Sequence, residues 1–368
     1  MKYYVIAGEA SGDLHGSNLL KEIVTLDTAA NVRCWGGDLM QSTGATLVKH
    51  YRELAFMGFA EVIKNLPTIL KNISFCKKDI EQFKPDVLVL IDYPGFNLRI
   101  AEWAKQQGYK VVFYISPQVW AWKANRVKKM KKFIDLMLVI LPFEKQYYSD
   151  KWQWNVHFVG HPLAKVISDY KPIPLQFEDN KPLVAVLPGS RKQEISIKLP
   201  EMLKVAARFP NYRFVIAKAP SIEDSFYKPM LEKYANVSVV KGRTYDLLSQ
   251  AKAAMVTSGT ATLETALFGV PEVVCYKGGN LSYQLAKRLI KIKYISLVNL
   301  IMDRLVVKEL IQNDMNSEMI SDELEKLLHN PTYTRQMKDG YASLKKLLES
   351  DGNPSHTAAA LILSFLSS

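Results

Sequence analysis

Apolar residues fall along this chain in two kinds of run. Short, almost uninterrupted runs occupy residues 3–7, 32–36, 86–91, 111–115 and 136–141 in the first half, and 183–187, 213–217, 237–240, 254–256 and 273–275 in the second. Their length and β-branched content are those of strands buried on both faces. Between them the apolar positions recur at helical spacing, as at Leu263, Ala266 and Leu267, and Gly269 and Pro271 end that helix. Strand and helix alternate through both halves, which predicts an α/β fold of two Rossmann-like domains on parallel sheets, facing each other across a cleft toward which both turn their strand ends. The proline-rich, polar stretch 171–181 reads as the linker, and His161-Pro162 as a boundary turn. The expected domains are 1–170 and 171–345. A helical segment, 346–368, follows, with packing back onto the first domain one arrangement open to it. A short strand is expected over 295–298, ending at Asn299, and helix after Val306.

One stripe reads two ways. Phe59, Val62, Ile63, Leu66, Ile69 and Leu70 share a helical face, with Lys64, Lys71, Lys77 and Lys78 in or after it and Pro67 marking a kink or break. Such a face is either packed on the sheet or an apolar ridge with basic flanks that dips into a membrane surface.

Length and composition narrow the picture modestly. The 368 residues suit two domains, and no apolar run reaches the ~20 residues of a bilayer span. Cys34, Cys76 and Cys275 are isolated in apolar surroundings, which argues against disulfides or a zinc site and fits a reducing cytoplasm. The N-terminus reads as a strand entering a loop, not as a signal peptide. A net charge of +12 suits nucleic acid, anionic lipid or phosphorylated substrates alike. The positive residues are dispersed, however, and no nucleic-acid motif is present.

The candidate chemistry sits at strand ends. GEASGDLHG follows the first strand but lacks the dinucleotide spacing GxGxxG. Its Glu9 and Asp13 disfavour phosphate and favour sugar hydroxyls, and His15 is either a base or structural. Asp92 ends a central strand and is either placed for chemistry or the cap of the next helix. Gln118, Trp120 and Trp122 cluster amide and aromatic groups as a sugar site would. Arg126, Lys128, Lys129, Lys131 and Lys132 form a solvated face, or meet lipid headgroups or a phosphorylated acceptor. Pro188-Gly189-Ser190-Arg191 is a backbone-rich turn whose arginine is either a surface group or a bidentate partner for pyrophosphate. At Ser258-Gly259-Thr260 a helix begins, capped from this turn, at the carboxyl end of a parallel strand, where its dipole favours an anion. Glu264, about one turn inside, either holds a ribose or is solvated.

GEASGD, IDYPGFN, SPQVWAW, LPFEK, VGHP, LPGSR, SGTATLE and KEL occur together and in this order. With them the chain resembles the lipid-A-disaccharide synthase family, bacterial glycosyltransferases of the GT-B fold, over nearly its whole length. Where that family often carries a second acid in IDAPDFN, this chain has Gly95, which leaves the carboxylate role to Asp92. The resemblance implies transfer of 2,3-diacylglucosamine from its UDP conjugate to the 6-hydroxyl of 2,3-diacylglucosamine 1-phosphate. The products would be a β-1′,6-linked disaccharide monophosphate and UDP. It assigns Asp92 as base and Arg191 to the leaving diphosphate. Gly189, Ser190, Ser258, Gly259, Thr260, Glu264 and Asn299 would bind the nucleotide, and Glu9, Ser11, Asp13 and Gln118 the acceptor. Val62, Ile63, Leu66, Ile69 and Leu70 become membrane contacts. The same reading calls for no metal and no cofactor, places the protein in the cytoplasm on the inner face of the inner membrane against an anionic surface, and leaves a homodimer open. The alternatives are another UDP-GlcNAc enzyme of the same fold, a transferase or an epimerase, or a basic protein that binds without turnover.

Overall fold

The structure is a computed structural model that describes residues 1–54, 66–219, 222–279, 292–349 and 352–367. The chain divides into two compact units, Met1–Pro162 with Leu348–Ser368, and Leu163–Leu347. The division falls at the His161-Pro162 turn, ahead of the 171–181 stretch expected to separate the domains.

In the first unit the described strands are β1 (Lys2–Ala7), β2 (Asn31–Gly36), β3 (Thr46–His50), β4 (Val87–Ile91), β5 (Lys110–Tyr114), β6 (Leu136–Val139) and β7 (His157–Phe158). All pair in parallel in the order β3-β2-β1-β4-β5-β6-β7. The central strands are buried along their whole length because helices cover both faces. These helices are α1 (Ala10–Leu26), α2 (Asp38–Gln41), α3 (Leu66–Phe83), α4 (Pro94–Gln106), α5 (Val127–Phe133) and α6 (Pro142–Trp152). Trp35, Phe96, Ile100, Phe113 and Tyr148 fill one core layer with Tyr4 and Ile6 of β1. Thr46–His50 was not expected as a strand: it is an edge, half-buried and polar, so it lacks the apolar run that marks the centre of a sheet.

Much of the ambiguous stripe lies outside the described residues, namely Phe59, Val62, Ile63 and the side chain of Leu66. Pro67 stands in the first described turn of α3, and the residues immediately before Leu66, on which the expected kink or break depends, lie outside the described ones. Ile69 packs against the core with Ile73, Cys76 and Ile80, whereas Leu70 and Phe75 remain 56% and 47% exposed.

The second unit repeats the scheme. Its elements are α7 (Pro162–Ser168, which carries the chain over), β8 (Leu183–Leu187), α8 (Lys192–Ala206), β9 (Arg213–Lys218), α9 (Asp224–Leu231), β10 (Val237–Lys241), α10 (Thr244–Leu248), β11 (Ala251–Thr257), α11 (Thr260–Leu267), β12 (Glu272–Tyr276), α12 (Leu297–Met302), β13 (Lys308–Ile311), α13 (Ser317–His329) and α14 (Pro331–Leu348). The strands run parallel in the order β10-β9-β8-β11-β12-β13. The strand expected at 295–298 is absent. Leu297–Met302 is instead a helix, because the Ser296 hydroxyl accepts the Asn299 N–H and caps it. The strand comes later, at Lys308–Ile311, where expected helix gives way to pairing with the open edge of β12. The final helix, α15 (Pro354–Ser367), returns to the first unit and packs along α1. Glu22 of α1 takes hydrogen bonds from Asn353 Nδ2 at 2.7 Å and pairs with His356 Nδ1 at 2.9 Å.

Each sheet reverses its strand order once, between β1 and β4 and between β8 and β11. At such a point the loops leaving two adjacent strands part to opposite faces, and a crevice opens beyond their carboxyl ends.

Candidate active site

At the first crevice, β4 delivers Asp92 with φ +46° and Tyr93 with φ +48°, both left-handed, before Pro94 opens α4. The buried Asn97 side chain holds this bend. Its Nδ2 donates to the Asp92 carbonyl at 2.8 Å, to Ile91 O at 3.2 Å and to Ile6 O at 3.3 Å, which ties the ends of β4 and β1 together. Gly8 is required opposite, since a Cβ there would lie 2.3 Å from the Tyr93 ring. Burial, and then the charge of Glu9, pushes the Asp92 carboxyl up to about 6. A carboxylate so placed is a stronger base than usual yet still largely ionised near neutrality.

Glu9 and Ser11 are exposed at the start of α1, where no side chain caps the helix. Gln118 is exposed in the loop after β5, its carbonyl accepting the Ala121 and Trp122 amides. In the same loop the Trp120 indole donates to Glu144 at 3.2 Å. Burial pushes Glu144 up to about 8, although it also accepts the Leu141 amide at 3.0 Å. This end of the first sheet is therefore carboxylate-rich.

One expected site residue, Asp13, is otherwise engaged. Asp13 is buried, and its carboxylate accepts the amides of Gly37 at 2.7 Å, Met40 at 3.0 Å and Leu39 at 3.2 Å. It caps α2 and does not face an acceptor. His15 is also buried, and desolvation lowers it to about 4, which leaves it neutral and a weak base.

The second crevice is a cavity of ≈ 400 Å³ lined by Gly189, Ser190, Arg191, Glu194, Lys218, Thr257, Ser258, Gly259, Thr260 and Glu264 among others. Gly189 has φ +118° and Gly259 φ +142°, so both turns need glycine. Arg191 precedes α8 and pairs with Glu194 at 2.8 Å. The cap of α11 is Gly259 rather than Ser258, and no side chain covers that helix start. The Ser258 hydroxyl donates instead to Ile295 O at 2.8 Å. The amides of the first turn thus stand uncapped by any side chain beside the cavity, an arrangement suited to phosphate oxygens. Deeper in, Glu264 accepts the Tyr245 hydroxyl at 3.0 Å, and burial raises its pKa.

Asn299 does not reach this cavity. It is fully buried, and its amide is completely used: Nδ2 donates to Val307 O at 2.9 Å and Glu309 Oε1 at 2.8 Å, while Oδ1 accepts Val306 N at 2.7 Å and Val307 N at 3.0 Å. Glu309 in turn accepts the amides of Ile295 and Ser296. Asn299 therefore braces the segment that receives the Ser258 hydroxyl, and it has no capacity left for a nucleotide. Lys218, the last residue of β9, lines the cavity and pairs with Asp224, yet the sequence reading passed over it. A cation closing a strand beside the Gly189 turn was the available signal.

The family model for lipid-A-disaccharide synthetase matches residues 3–363. The lipid-A-disaccharide synthase of Geobacter metallireducens is 38% identical over 372 aligned residues, covering 98% of this chain and 96% of that protein. Among solved structures, the glycosyltransferase of kitacinnamycin superposes with a TM-score of 0.68 at 14% identity, covering 99% of this chain and 98% of its own. The UDP-GlcNAc 2-epimerase of Neisseria meningitidis, solved with UDP-GlcNAc bound, gives 0.63 at 16% identity over the whole of both chains. The structural likenesses establish the GT-B fold, and the family match establishes a glycosyltransferase. The chain belongs to the lipid-A-disaccharide synthase family.

Proposed function

We propose that the chain transfers 2,3-diacylglucosamine from its UDP conjugate to the 6-hydroxyl of 2,3-diacylglucosamine 1-phosphate, with inversion, giving the β-1′,6-linked disaccharide 1-phosphate and UDP. The observation that carries this reading is Asp92, a carboxylate raised to about 6 at the carboxyl end of a central strand. It takes the proton of the acceptor hydroxyl as that oxygen attacks the anomeric carbon. Glu9, Ser11 and Gln118 bind the acceptor sugar. UDP leaves with growing negative charge, which Arg191 and the uncapped amides of the Ser258–Thr260 turn stabilise. Gly189 and Ser190 let the diphosphate approach the backbone, and Glu264 holds the ribose.

The test is Asp92→Asn, assayed with synthetic diacyl donor and acceptor and product detection by mass. Loss of about 10²- to 10⁴-fold in turnover with unchanged UDP affinity is expected. Wild-type turnover would remove Asp92 from the mechanism, and no UDP release by the wild type would remove the reaction.

Acylated substrates call for a lipid surface, and we place the protein on an anionic membrane at its cytoplasmic face. Among the described residues no helix is long and apolar enough to cross a membrane. The exposed Leu70 and Phe75 on α3, together with the net charge of +12, support a peripheral contact. Leu70→Ser with Phe75→Ser should reduce sedimentation with anionic vesicles without altering the fold. Retained binding would move the contact elsewhere.

A further inference from the structure

The second cavity has a cation behind its wall that the transfer reaction as described leaves unused. Lys198 lies in the middle of α8 and is only 3% exposed. A buried ammonium is costly unless something compensates it. Its Nζ donates to the hydroxyl of Thr257, a residue that lines the cavity, and lies 3.9 Å from Glu194 Oε2. It also sits directly behind the Gly189 turn, since a Cβ on Gly189 would come 3.6 Å from Lys198 Nζ and 2.7 Å from Glu194 Oε2.

Glu194 is shared by Lys198 and Arg191. Glu194 pairs at the same time with Arg191, at 2.8 Å through its other oxygen. Cys275, the thiol near Lys198, is pushed up to about 12 by burial and stays neutral. Glu194 thus touches both cations, and Arg191 and Lys198 are near enough for their like charges to repel. Both lie beside the glycine turn and the uncapped helix start, Arg191 on the solvent side and Lys198 buried behind the turn, where its field is less screened.

We propose that Lys198 is a second, buried cation directed at the diphosphate of the nucleotide, acting through the Gly189 turn and the Thr257 hydroxyl, and that Glu194 is the internal counter-anion the diphosphate replaces. This makes Lys198 a positioning residue, since its charge reaches the ligand through neighbouring groups. It rests on reading the cavity as a UDP site.

The experiment is calorimetric titration of the full chain with UDP and with uridine, which has no phosphate. Lys198→Met should weaken UDP about tenfold and leave uridine unchanged, because only the diphosphate feels the lost charge. Glu194→Gln keeps the shape but removes the competing anion, so it should bind UDP more tightly, by about threefold. A purely structural lysine would weaken both ligands in Lys198→Met or neither, and either result overturns the proposal. Weaker UDP binding by Glu194→Gln overturns it too, and that variant decides the matter alone if Lys198→Met does not fold. If the variants match a wild type that binds UDP, this inference fails and the assigned site stands. If the wild type binds no UDP, the site assignment fails, and this inference with it.

Discussion

The two units share one scaffold and differ in charge at the same place on it. In each, a parallel sheet reverses its strand order once, and a glycine-containing loop leaves the strand on one side of the reversal. Toward the carboxyl ends of its strands the first unit carries Glu9, Asp92 and Glu144, and burial, with a smaller part from their mutual charge, raises Asp92 and Glu144. Beyond β8 and β11 the crevice of the second carries Arg191 and Lys218 with Glu194 and Glu264, and Lys198 lies behind its wall. The backbone sets where a ligand sits, and a few side chains at strand ends set whether that place handles protons or phosphates. On the proposed reading, acid concentrated in one unit makes a base, and cations and uncapped amides in the other make an anion site.

The strongest way to break this contrast is to cross the variants. Asp92→Asn should abolish turnover while leaving UDP affinity intact. Arg191→Ala should weaken UDP by about 10- to 100-fold, since a charge-assisted bidentate contact is lost. Its pH profile should keep the wild-type midpoint. If Asp92→Asn weakened UDP as much as Arg191→Ala, the division of labour would be wrong. The profile itself sharpens the claim. Asp92 must be ionised to accept a proton, so turnover should rise as pH climbs through about 6 and then level off. A flat profile through that range would deny Asp92 the role of base.

Smaller effects concern the residues that serve the scaffold. Asp13→Ala leaves three amides of the first unit, two of them buried, without their acceptor and should cost about 3 kcal/mol of stability, read as a lower thermal midpoint. UDP affinity should not change, and a loss would return Asp13 to the binding residues. The smallest effect is expected at Glu272, fully buried in β12, whose carboxyl burial holds well above its usual value. As pH rises past the ordinary carboxylate range, the unfolded chain releases this proton and the folded chain retains it. The group therefore favours the folded state less at higher pH. Glu272→Gln should flatten the decline of the thermal midpoint between about pH 5 and pH 8. An unchanged slope would show that Glu272 is ionised in the fold.

How far the chain was legible depends on how local each feature is. The central strands could be read from runs of apolar residues, because burial on both faces removes every polar exception. The edge strands Thr46–His50 and Lys308–Ile311 could not, since most of each is only partly buried and pairing alone makes them strands. Loops at strand ends were recognisable as sites because glycine, acid and arginine there serve no core. Asp92 and Arg191 stand out for that reason, and the order of eight motifs indicated the family.

Partnership was the part hidden from the one-dimensional reading. Asp13 looked like a site acid until the fold brought the amides of Gly37, Leu39 and Met40 onto it. Asn299 looked like a nucleotide ligand until Val306, Val307 and Glu309 used every hydrogen bond it can make. Lys198 lies in a helix with nothing local to mark it, and only packing placed it under Gly189. By itself the sequence determined the two-part α/β scheme, the central strands and the loops that carry the chemistry, because periodicity and turn residues act over a few positions. Tertiary structure decided which polar groups remain available for a ligand, because a hydrogen bond or a charge is committed only when a distant part of the chain arrives to share it.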